Sequence, residues 1–331
     1  MRTPQCLTII RTVLVASTLL LLCSSPASNQ SPEAPALKLK KGHSKDHSKN
    51  AASGHTYILI GAGDIASCKD LTGAEATAKL VESTPGEVFA AGDLAYDKGT
   101  AEEFKNCYDK TWGRFKNRTH PTPGNHEFYG SKDGSPYFDY WGAQAGKREK
   151  GYYSFDLGDW HVIALNTNCT APGLGGCALG SPQDVWLKQD LAEHPKSCIV
   201  AFGHHALYSS GVLKSHAMHP ELRQLWQDLY KAHADIVVNG HEHSYERFAP
   251  QDPYANFDKK NGIREFVVGT GGRNHDPLGF PIPNSEARNA DTYGVLKLTL
   301  SPGKYKWEFV PVPGGDAFTD SGEGSCHNRK P

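Results

Sequence analysis

Five short apolar segments of the sequence end in a glycine that is followed at once by a residue able to bind a metal. The segments are YILIGAGD, EVFAAGD, HPTPGNH, CIVAFGH and ADIVVNGH, and the residues that follow their glycines are Asp64, Asp93, Asn125, His204 and His241. Strands of an open α/β sheet deliver their loops to the carboxyl edge, so these endings are expected to converge on one crevice. Each pair alone is a common turn dipeptide. With Tyr96 and His243, the set offers oxygen and nitrogen ligands suited to iron, zinc or manganese.

The rest of the chain alternates between short β-branched apolar runs and helical patterns, which is typical of a layered α/β domain. Helices are predicted over residues 73–83, 100–108, 181–194 and 220–233, with Ser181 as an N-cap followed by Pro182. Further strands are predicted over residues 152–157, 161–165, 266–269, 293–300 and 304–312. The predicted fold class is therefore α/β, with two β-sheets packed as a sandwich and flanked by helices.

The first 27 residues have the pattern of a signal peptide. Two arginines accompany an apolar run over residues 13–23, and small residues place a cleavage site after Ala27. The mature chain is therefore expected to be secreted or periplasmic. A lipid anchor at Cys23 is the disfavoured alternative, because Leu22 stands where a small residue is normal. The apolar run is shorter than the ~20 residues of a membrane-spanning helix, so no integral span is expected.

Composition and charge divide the rest of the chain. Residues 28–54 are rich in Ser, Pro, Lys and His, which predicts a disordered basic linker. The main domain is placed at residues 55–318, and residues 319–331 form a C-terminal tail tied by Cys326. Lys and Arg number 35 against 36 Asp and Glu, so no overall field would recruit nucleic acid or an anionic membrane. We expect a locally recognised small-molecule partner, and the oligomeric state is left open.

Six cysteines remain after the signal peptide, and an even number in an exported chain predicts disulfides. Spacing favours only Cys169 with Cys177, across a Gly-rich loop. The pairs that would complete the set, without being required by the sequence, are Cys68–Cys107 and Cys198–Cys326. Zinc ligation by thiolates is the alternative, but it needs close spacings such as C-x-x-C, which the sequence lacks.

The motifs around the candidate ligands form an ordered series: G-D-I-A (63–66), G-D-L-A-Y (92–96), G-N-H-E (124–127), G-H-H-A (203–206) and G-H-E-H (240–243). The series resembles the calcineurin-type metallophosphoesterases and, within that family, the purple acid phosphatases, over roughly residues 56–318. It departs from the family pattern at Ala66, where Gly is usual, and at Ala206, where Pro is common, but neither position supplies a ligand. The resemblance implies a four-layer architecture in which helices flank two mixed sheets.

The resemblance also implies how the ligands divide between two metal ions. One ion would be held by Asp64, Tyr96 and His243, the other by Asn125, His204 and His241, and both by Asp93. A phenolate from Tyr96 would favour Fe(III), and the second ion would be divalent Fe, Zn or Mn. The alternative is that Tyr96 only packs beneath a loop.

Three further histidines are candidates for acid–base work or for contact with phosphate: His126, His205 and His216. The resemblance marks His216 as the substrate-side imidazole. His219 precedes Pro220 and is interpreted as a residue at the start of a helix, so it is left out. Glu127 and Glu242 lie beside ligands and are expected to orient them.

The predicted function is the hydrolysis of phosphate monoesters by a hydroxide activated on two metal ions. A phosphodiesterase is the nearest alternative, because the same metal core serves both reactions and the walls of the pocket decide. Those walls would include His205, His216 and the loop 271–283, in which Arg273 and His275 either contact substrate or are incidental. A catalytically silent phosphate-binding module is the alternative from another class, and the complete ligand set argues against it.

Overall fold

The computed structural model describes residues 54–171, 173–195, 198–213, 218–314 and 318–327. These residues belong to one compact unit, Ser48–Pro331. The predicted signal peptide, nearly all of the predicted linker, Cys23 and His216 lie outside the described residues, so those predictions stay predictions. No helix in the described part of the chain is long and apolar enough to cross a membrane.

Short strands and short helices alternate through this unit. The strands are β1 (Tyr57–Ala62), β2 (Ala66–Ser67), β3 (Glu87–Ala91), β4 (Ala95–Tyr96), β5 (Thr119–Thr122), β6 (Tyr153–Leu157), β7 (Trp160–Ala164), β8 (Cys198–Phe202), β9 (Ile236–Asn239), β10 (Tyr245–Phe248), β11 (Arg264–Val268), β12 (Ser285–Asn289), β13 (Gly294–Ser301), β14 (Lys304–Pro311) and β15 (Ser321–Ser325). The α-helices are α1 (Thr72–Glu82), α2 (Ala101–Glu103), α3 (Ser135–Trp141), α4 (Pro182–Glu193) and α5 (Arg223–Lys231).

Two large mixed sheets organise the strands. The first has the order β15-β14-β13-β1-β3-β5, in which β1, β3 and β5 are parallel and β13 to β15 form an antiparallel meander. The second has the order β12-β10-β11-β9-β8-β7-β6, in which β7, β8, β9 and β11 are parallel. The short strands β2 and β4 pair with each other. Parallel strands in both sheets bring the loops after β1, β3, β5, β8 and β9 to carboxyl edges.

Side-chain alternation explains why both faces of the second sheet are apolar. Successive residues of a strand point to opposite faces. In β8, Val200 and Phe202 join the core shared with the first sheet, whereas Ile199 and Ala201 join the core under α4 and α5. The ring of Phe202 lies 5.9 Å from that of Phe89 in β3, across the sandwich. A continuous apolar run is therefore what a strand in the middle of these layers requires.

Helices cover the outer faces of the sandwich. Leu187 of α4 and Leu225 of α5 pack on the second sheet, and Ala78 of α1 belongs to the core of the first. The start of α4 is as predicted, because Ser181 Oγ accepts the Asp184 N–H at 3.3 Å. The arrangement is the predicted sandwich of two mixed sheets flanked by helices.

Several predicted elements need correction. The helix predicted at 100–108 is α-helical only in α2 and continues as a π-helical turn, Phe104–Tyr108. The helix predicted at 220–233 begins as a 3-10 turn, Pro220–Leu222. Helix α3 and strands β10, β12 and β15 were not predicted. Strand β15 lies inside the predicted C-terminal tail. Its sequence, SGEGS, has no apolar pattern that would predict a strand, and the segment is a strand because it pairs with β14.

Three disulfides connect the six cysteines. Cys169–Cys177 is the pair that spacing favoured, and it closes the loop before α4. The other two pairs join distant segments and are Cys68–Cys107 and Cys198–Cys326. The last of these ties the end of β15 to the start of β8, so the C-terminal segment is anchored to both sheets.

Candidate metal centre

The five glycine-terminated segments meet at the carboxyl ends of their strands, as expected. Asp64, Asp93 and His241 have backbone φ angles of 61°, 51° and 72°, in the left-handed region that non-glycine residues rarely adopt. Such conformations persist at functional sites because the surrounding structure imposes them. Position 92 requires glycine, because a Cβ there would lie 2.5 Å from Nδ1 of His204 and would collide with the ring. The sharp turns therefore aim the side chains into one buried cluster.

One half of the cluster consists of Asp64, Tyr96 and His243. Tyr96 is in β4 and is fully buried, and its hydroxyl donates to Asp64 Oδ1 at 2.8 Å. His243 Nε2 lies 3.3 Å from Asp64 Oδ1 and 3.3 Å from Tyr96 Oη. His243 Nδ1 is oriented by Asn274 Oδ1 at 2.9 Å. The structure thus brings together the three residues that the resemblance assigned to one ion.

The other half consists of Asn125, His204 and His241. His204 Nε2 lies 3.1 Å from Asn125 Oδ1 and 3.1 Å from His241 Nδ1. Asp93 lies between the halves, because its Oδ2 is 3.1 Å from Tyr96 Oη and 3.2 Å from His204 Nε2. This carboxylate therefore contacts a member of each half.

His204 shows that these donors fit a cation. Its Nδ1 donates to the carbonyl oxygen of Ala91 at 2.9 Å, so when the ring loses its second proton the lone pair of Nε2 points into the cluster. That lone pair faces Asn125 Oδ1 and Asp93 Oδ2. These oxygens are acceptors too, and facing acceptors repel unless a proton or a metal ion lies between them. The chemistry of the donor set therefore fits metal ions.

The electrostatics of the cluster favour positive charge. Burial lowers the pKa of His204, but Asp93 and Asp64 raise it to about 9. Burial, followed by Asp64 and Asp93, raises the pKa of Tyr96 well above its usual value. Burial acts to raise the pKa of Asp93, but His204 holds it well below its usual range. A metal ion that binds here through both groups must displace the protons of His204 and Tyr96.

Glu127 orients the backbone that carries the ligands. Its fully buried carboxylate accepts N–H groups from Asp93 and Leu94 at 2.9 Å and from Gly124 at 2.7 Å. It therefore joins the loop after β3 to the loop after β5. Glu242 differs from the expectation, because within the described residues neither of its buried carboxylate oxygens has a hydrogen-bond partner.

The predicted acid–base histidines are placed differently from one another. His126 Nδ1 donates to the carbonyl oxygen of Asp97 at 2.6 Å, and its Nε2 lies 3.7 Å from Asp93 Oδ2. His205 is buried, with Nδ1 2.9 Å from Thr167 Oγ1 and its ring 4.4 Å from that of His241. His216 is outside the described residues.

Two residues at the centre were missed by sequence reasoning. The ring of His219 lies 4.4 Å from that of His205 and 5.2 Å from that of His241, so it belongs to the site although Pro220 follows it. Tyr129 accepts a hydrogen bond from Asn125 Nδ2 at 2.8 Å. Its signal was available, since a residue four positions after Asn125 returns to the same side of a helical turn. His219 has no such sequence signal, and only its contacts with His205 and His241 in the folded structure show that it belongs to the site.

Arg273, in the loop 271–283, also lies beside the ligands. Its guanidinium is 5.0 Å from the centre of the Tyr96 ring and donates to Asp97 Oδ1 at 2.9 Å. His275 packs against Tyr293 instead, with ring centres 4.1 Å apart. Arg273 therefore contacts the ring of a candidate ligand, Tyr96.

Comparison with known proteins identifies the family. Residues 49–245 match the family described as calcineurin-like phosphoesterase. The chain belongs to the calcineurin-like phosphoesterase family. The membership expected from the five motifs is therefore confirmed.

Curated relatives and a solved structure extend the comparison. Purple acid phosphatase 23 of Arabidopsis thaliana is 29% identical over 206 residues, which cover 51% of this chain and 43% of that protein. Probable inactive purple acid phosphatase 24 of Arabidopsis thaliana is 27% identical over 256 residues, 65% of this chain and 39% of that protein. The chain spans less than half the length of these relatives.

The structure of a purple acid phosphatase from yellow lupin (Lupinus luteus) seeds has the same fold. It matches with a TM-score of 0.62 at 24% identity, over 83% of this chain and 54% of that chain. The predicted fold class is thereby confirmed.

Proposed function

We propose that the chain is a metal-dependent phosphatase that hydrolyses phosphate monoesters. The observation that carries the proposal is the position of Asp93, whose Oδ2 lies within hydrogen-bond distance of Tyr96 on one side and of His204 on the other. Buried charges need partners or metal ions, and the ligand types gathered here are those of iron, zinc and manganese sites. Membership of a phosphoesterase family supports the reaction class.

Two metal ions are proposed. Fe(III) would be held by Asp64, Tyr96 and His243, and a divalent ion, Fe, Zn or Mn, by Asn125, His204 and His241, with Asp93 shared. When bound, the pair would polarise the phosphoryl group and lower the pKa of the attacking water. The remaining steps fall to the protein's own residues.

His205 is proposed to orient the phosphoryl group. Thr167 Oγ1 accepts the backbone N–H groups of His204 and His205 at 3.1 and 2.9 Å, so its own proton points to His205 Nδ1. His205 therefore carries its proton on Nε2. Burial, followed by the neighbouring His241, lowers the pKa of His205 well below its usual value. A neutral imidazole that donates from Nε2 suits a phosphoryl oxygen.

His126 is proposed to supply the proton of the leaving group. Because Nδ1 is bonded to Asp97 O, the nitrogen that faces the metal centre is Nε2. A proton held there can pass to a leaving alkoxide, as a general acid requires. His216 stays a prediction for the substrate side of the pocket, and His219 joins it there because its ring contacts that of His205.

Export of the chain remains part of the proposal. Three disulfides are usual in proteins of oxidising compartments, and they support the predicted signal peptide. The substrate would then be a small phosphate ester outside the cell or in the periplasm.

A catalytically silent phosphate-binding protein is the competing function, because one relative is named as probably inactive. Against it, a ligand-type residue stands at all seven positions. A phosphodiesterase would use the same centre.

The test is a panel of phosphate monoesters and diesters, assayed on mature protein whose metal content is measured in the same sample. We expect two ions per chain and faster turnover of monoesters. Asp93→Asn should lose ions and activity, whereas Asp159→Asn, at an exposed turn between β6 and β7, should lose neither. Two bound ions without turnover of any ester would support the silent module, and faster turnover of diesters would support the phosphodiesterase.

A further inference from the structure

We propose that two loops beside the candidate metal centre form a subsite for the organic group of the substrate, which selects esters of apolar alcohols. The proposal rests on the proposed phosphatase function. The loops are residues 208–213 with Met218, and residues 277–283. Together they are called the apolar lip.

The two loops of the apolar lip are bonded to each other. Gly279 N donates to the carbonyl oxygen of Ser210 at 2.8 Å, and Gly211 forms a backbone bridge with Leu278. Ile282 N also donates to Ser210 Oγ at 3.1 Å. Residues 208–213 and 277–283 therefore form one continuous surface.

The lip is also attached to the candidate ligands. Asp276, the residue before the second loop, donates its backbone N–H to the carbonyl oxygen of His243 at 3.1 Å. Gly211 lies directly against the carboxylate of Glu242, where a Cβ would collide with it. Glu242 stands between the candidate ligands His241 and His243 in the sequence, so the lip directly adjoins the candidate metal centre.

Among the described residues, the outward side of the lip presents apolar side chains and no charged one. Phe280 is 95% exposed, Val212 54% and Met218 48%. Met218 precedes His219, whose ring lies 5.2 Å from that of His241, so this surface borders the centre. No Asp, Glu, Lys or Arg occurs in residues 208–213 or 277–283.

The side of the centre around Tyr96 has the opposite character. Arg273 lies over the Tyr96 ring and is bonded to Asp97, which is also paired with Lys69. The charged groups there are paired with one another. An ester whose phosphate lies at the candidate ligands can therefore remove an apolar group from water against the lip, whereas the exposed ring of Tyr129, on the other side of the centre, carries a polar hydroxyl bonded to Asn125.

The physical consequence is selection by the organic part of the ester. Single exposed apolar residues are ordinary on a protein surface, but Val212 and Phe280 lie on two loops that are bonded to each other beside the candidate metal centre, so they can act together. An alkyl or aryl group that covers Phe280 leaves water together with the ring, which is favourable. A polyol or a second phosphate has no apolar surface to bury against the lip, so its binding is not strengthened there. The lip thus separates substrates that the metal centre would treat alike.

Ethyl phosphate and n-hexyl phosphate test the proposal, because both release a primary alkoxide and differ in apolar length alone. In the wild type we expect kcat/KM to be about 10-fold higher for the hexyl ester, the lower end of the effect of one methylene in an apolar pocket. The combined variant Val212→Ser, Met218→Ser, Phe280→Ser should bring the ratio close to one. Phe257→Ser is the matched control, since Phe257 is 60% exposed and lies outside the lip.

Binding of ethylphosphonate and n-hexylphosphonate to the metal-loaded protein, measured by calorimetry, compares the same groups without turnover. Preference for the hexyl compound that is lost in the triple variant and kept in Phe257→Ser supports the lip. The proposal is overturned if the ratio of hexyl to ethyl ester is near one in the wild type, or if that ratio is unchanged in the triple variant. An unchanged ratio in a variant that loses binding to lipid vesicles would mean that the apolar residues contact membranes and not substrate. If neither ester is hydrolysed but hexylphosphonate is preferred, the phosphatase proposal fails and the lip stands.

Discussion

Binding of Zn²⁺ to the metal-free protein should release protons, because His204 holds one that the ion must displace. Burial lowers the pKa of His204, but Asp93 and Asp64 raise it to about 9, so the ring is protonated at pH 7. Its Nδ1 is bonded to the carbonyl oxygen of Ala91, so Nε2 must lose its proton before it can bind a metal. Tyr96, whose pKa burial raises well above its usual value, would release a second proton if it binds as phenolate.

The magnitude follows from proton linkage. Each proton displaced makes binding about 1.4 kcal/mol more favourable per pH unit, which is roughly a tenfold change in affinity. Because the pKa of His204 lies near 9, its contribution operates at pH 7 to 8 and ends once the ring is neutral above pH 9. The contribution of Tyr96 continues to higher pH. The affinity for zinc should therefore rise about tenfold between pH 7 and 8, and about 100-fold if both groups release protons.

Calorimetric titration with Zn²⁺ in two buffers of different ionisation enthalpy counts the protons. The wild type should release at least one at pH 7, and His204→Gln should release fewer and bind more weakly. His120→Gln is the control, because burial lowers the pKa of His120, which is bonded to Glu87 in the first sheet. No proton release at pH 7, with an affinity that is flat between pH 7 and 8, would refute the reasoning.

Three further predictions concern the metal centre. Asp93→Ala should lose both ions and Asn125→Ala only one, because Asp93 alone lies between the two ligand sets; metal analysis that finds two tightly held ions in Asp93→Ala would contradict this. Oxidised, iron-loaded protein should be coloured by phenolate-to-Fe(III) charge transfer, and Tyr96→Phe should lose the visible band while keeping iron; a colourless iron-loaded wild type would exclude the phenolate ligand. His126→Ala should keep its metals and lose roughly 10² to 10⁴ in kcat, so an unchanged kcat would remove it as the acid.

Five of the seven candidate ligands could be found from the sequence because each follows its own strand, and Tyr96 and His243 lie within three residues of two of these five. A strand that ends in Gly-Asp64 or Gly-His204 carries both its strand pattern and its functional residue in a few consecutive positions. The same local logic identified the Ser181 cap and the Cys169–Cys177 disulfide, whose partners are only eight residues apart. Such features need no knowledge of how distant segments meet.

Other features depend on contacts between distant segments. Strand β15 is defined by hydrogen bonds to β14, and the disulfide of Cys198 joins residues 128 positions apart. No local pattern distinguishes these from a polar tail and an unassigned cysteine.

What the sequence by itself determined is therefore the series of candidate ligand positions, the class of fold and the family. The tertiary structure alone decided that Asp93 lies between two ligand sets, that Glu127 joins two loops through backbone N–H groups, and that His219 reaches the centre. It also decided that the loops around Phe280 and Val212 form one apolar surface. The physical reason is that a side chain's type and its strand are local properties, whereas the atoms it faces are set by how the two sheets pack.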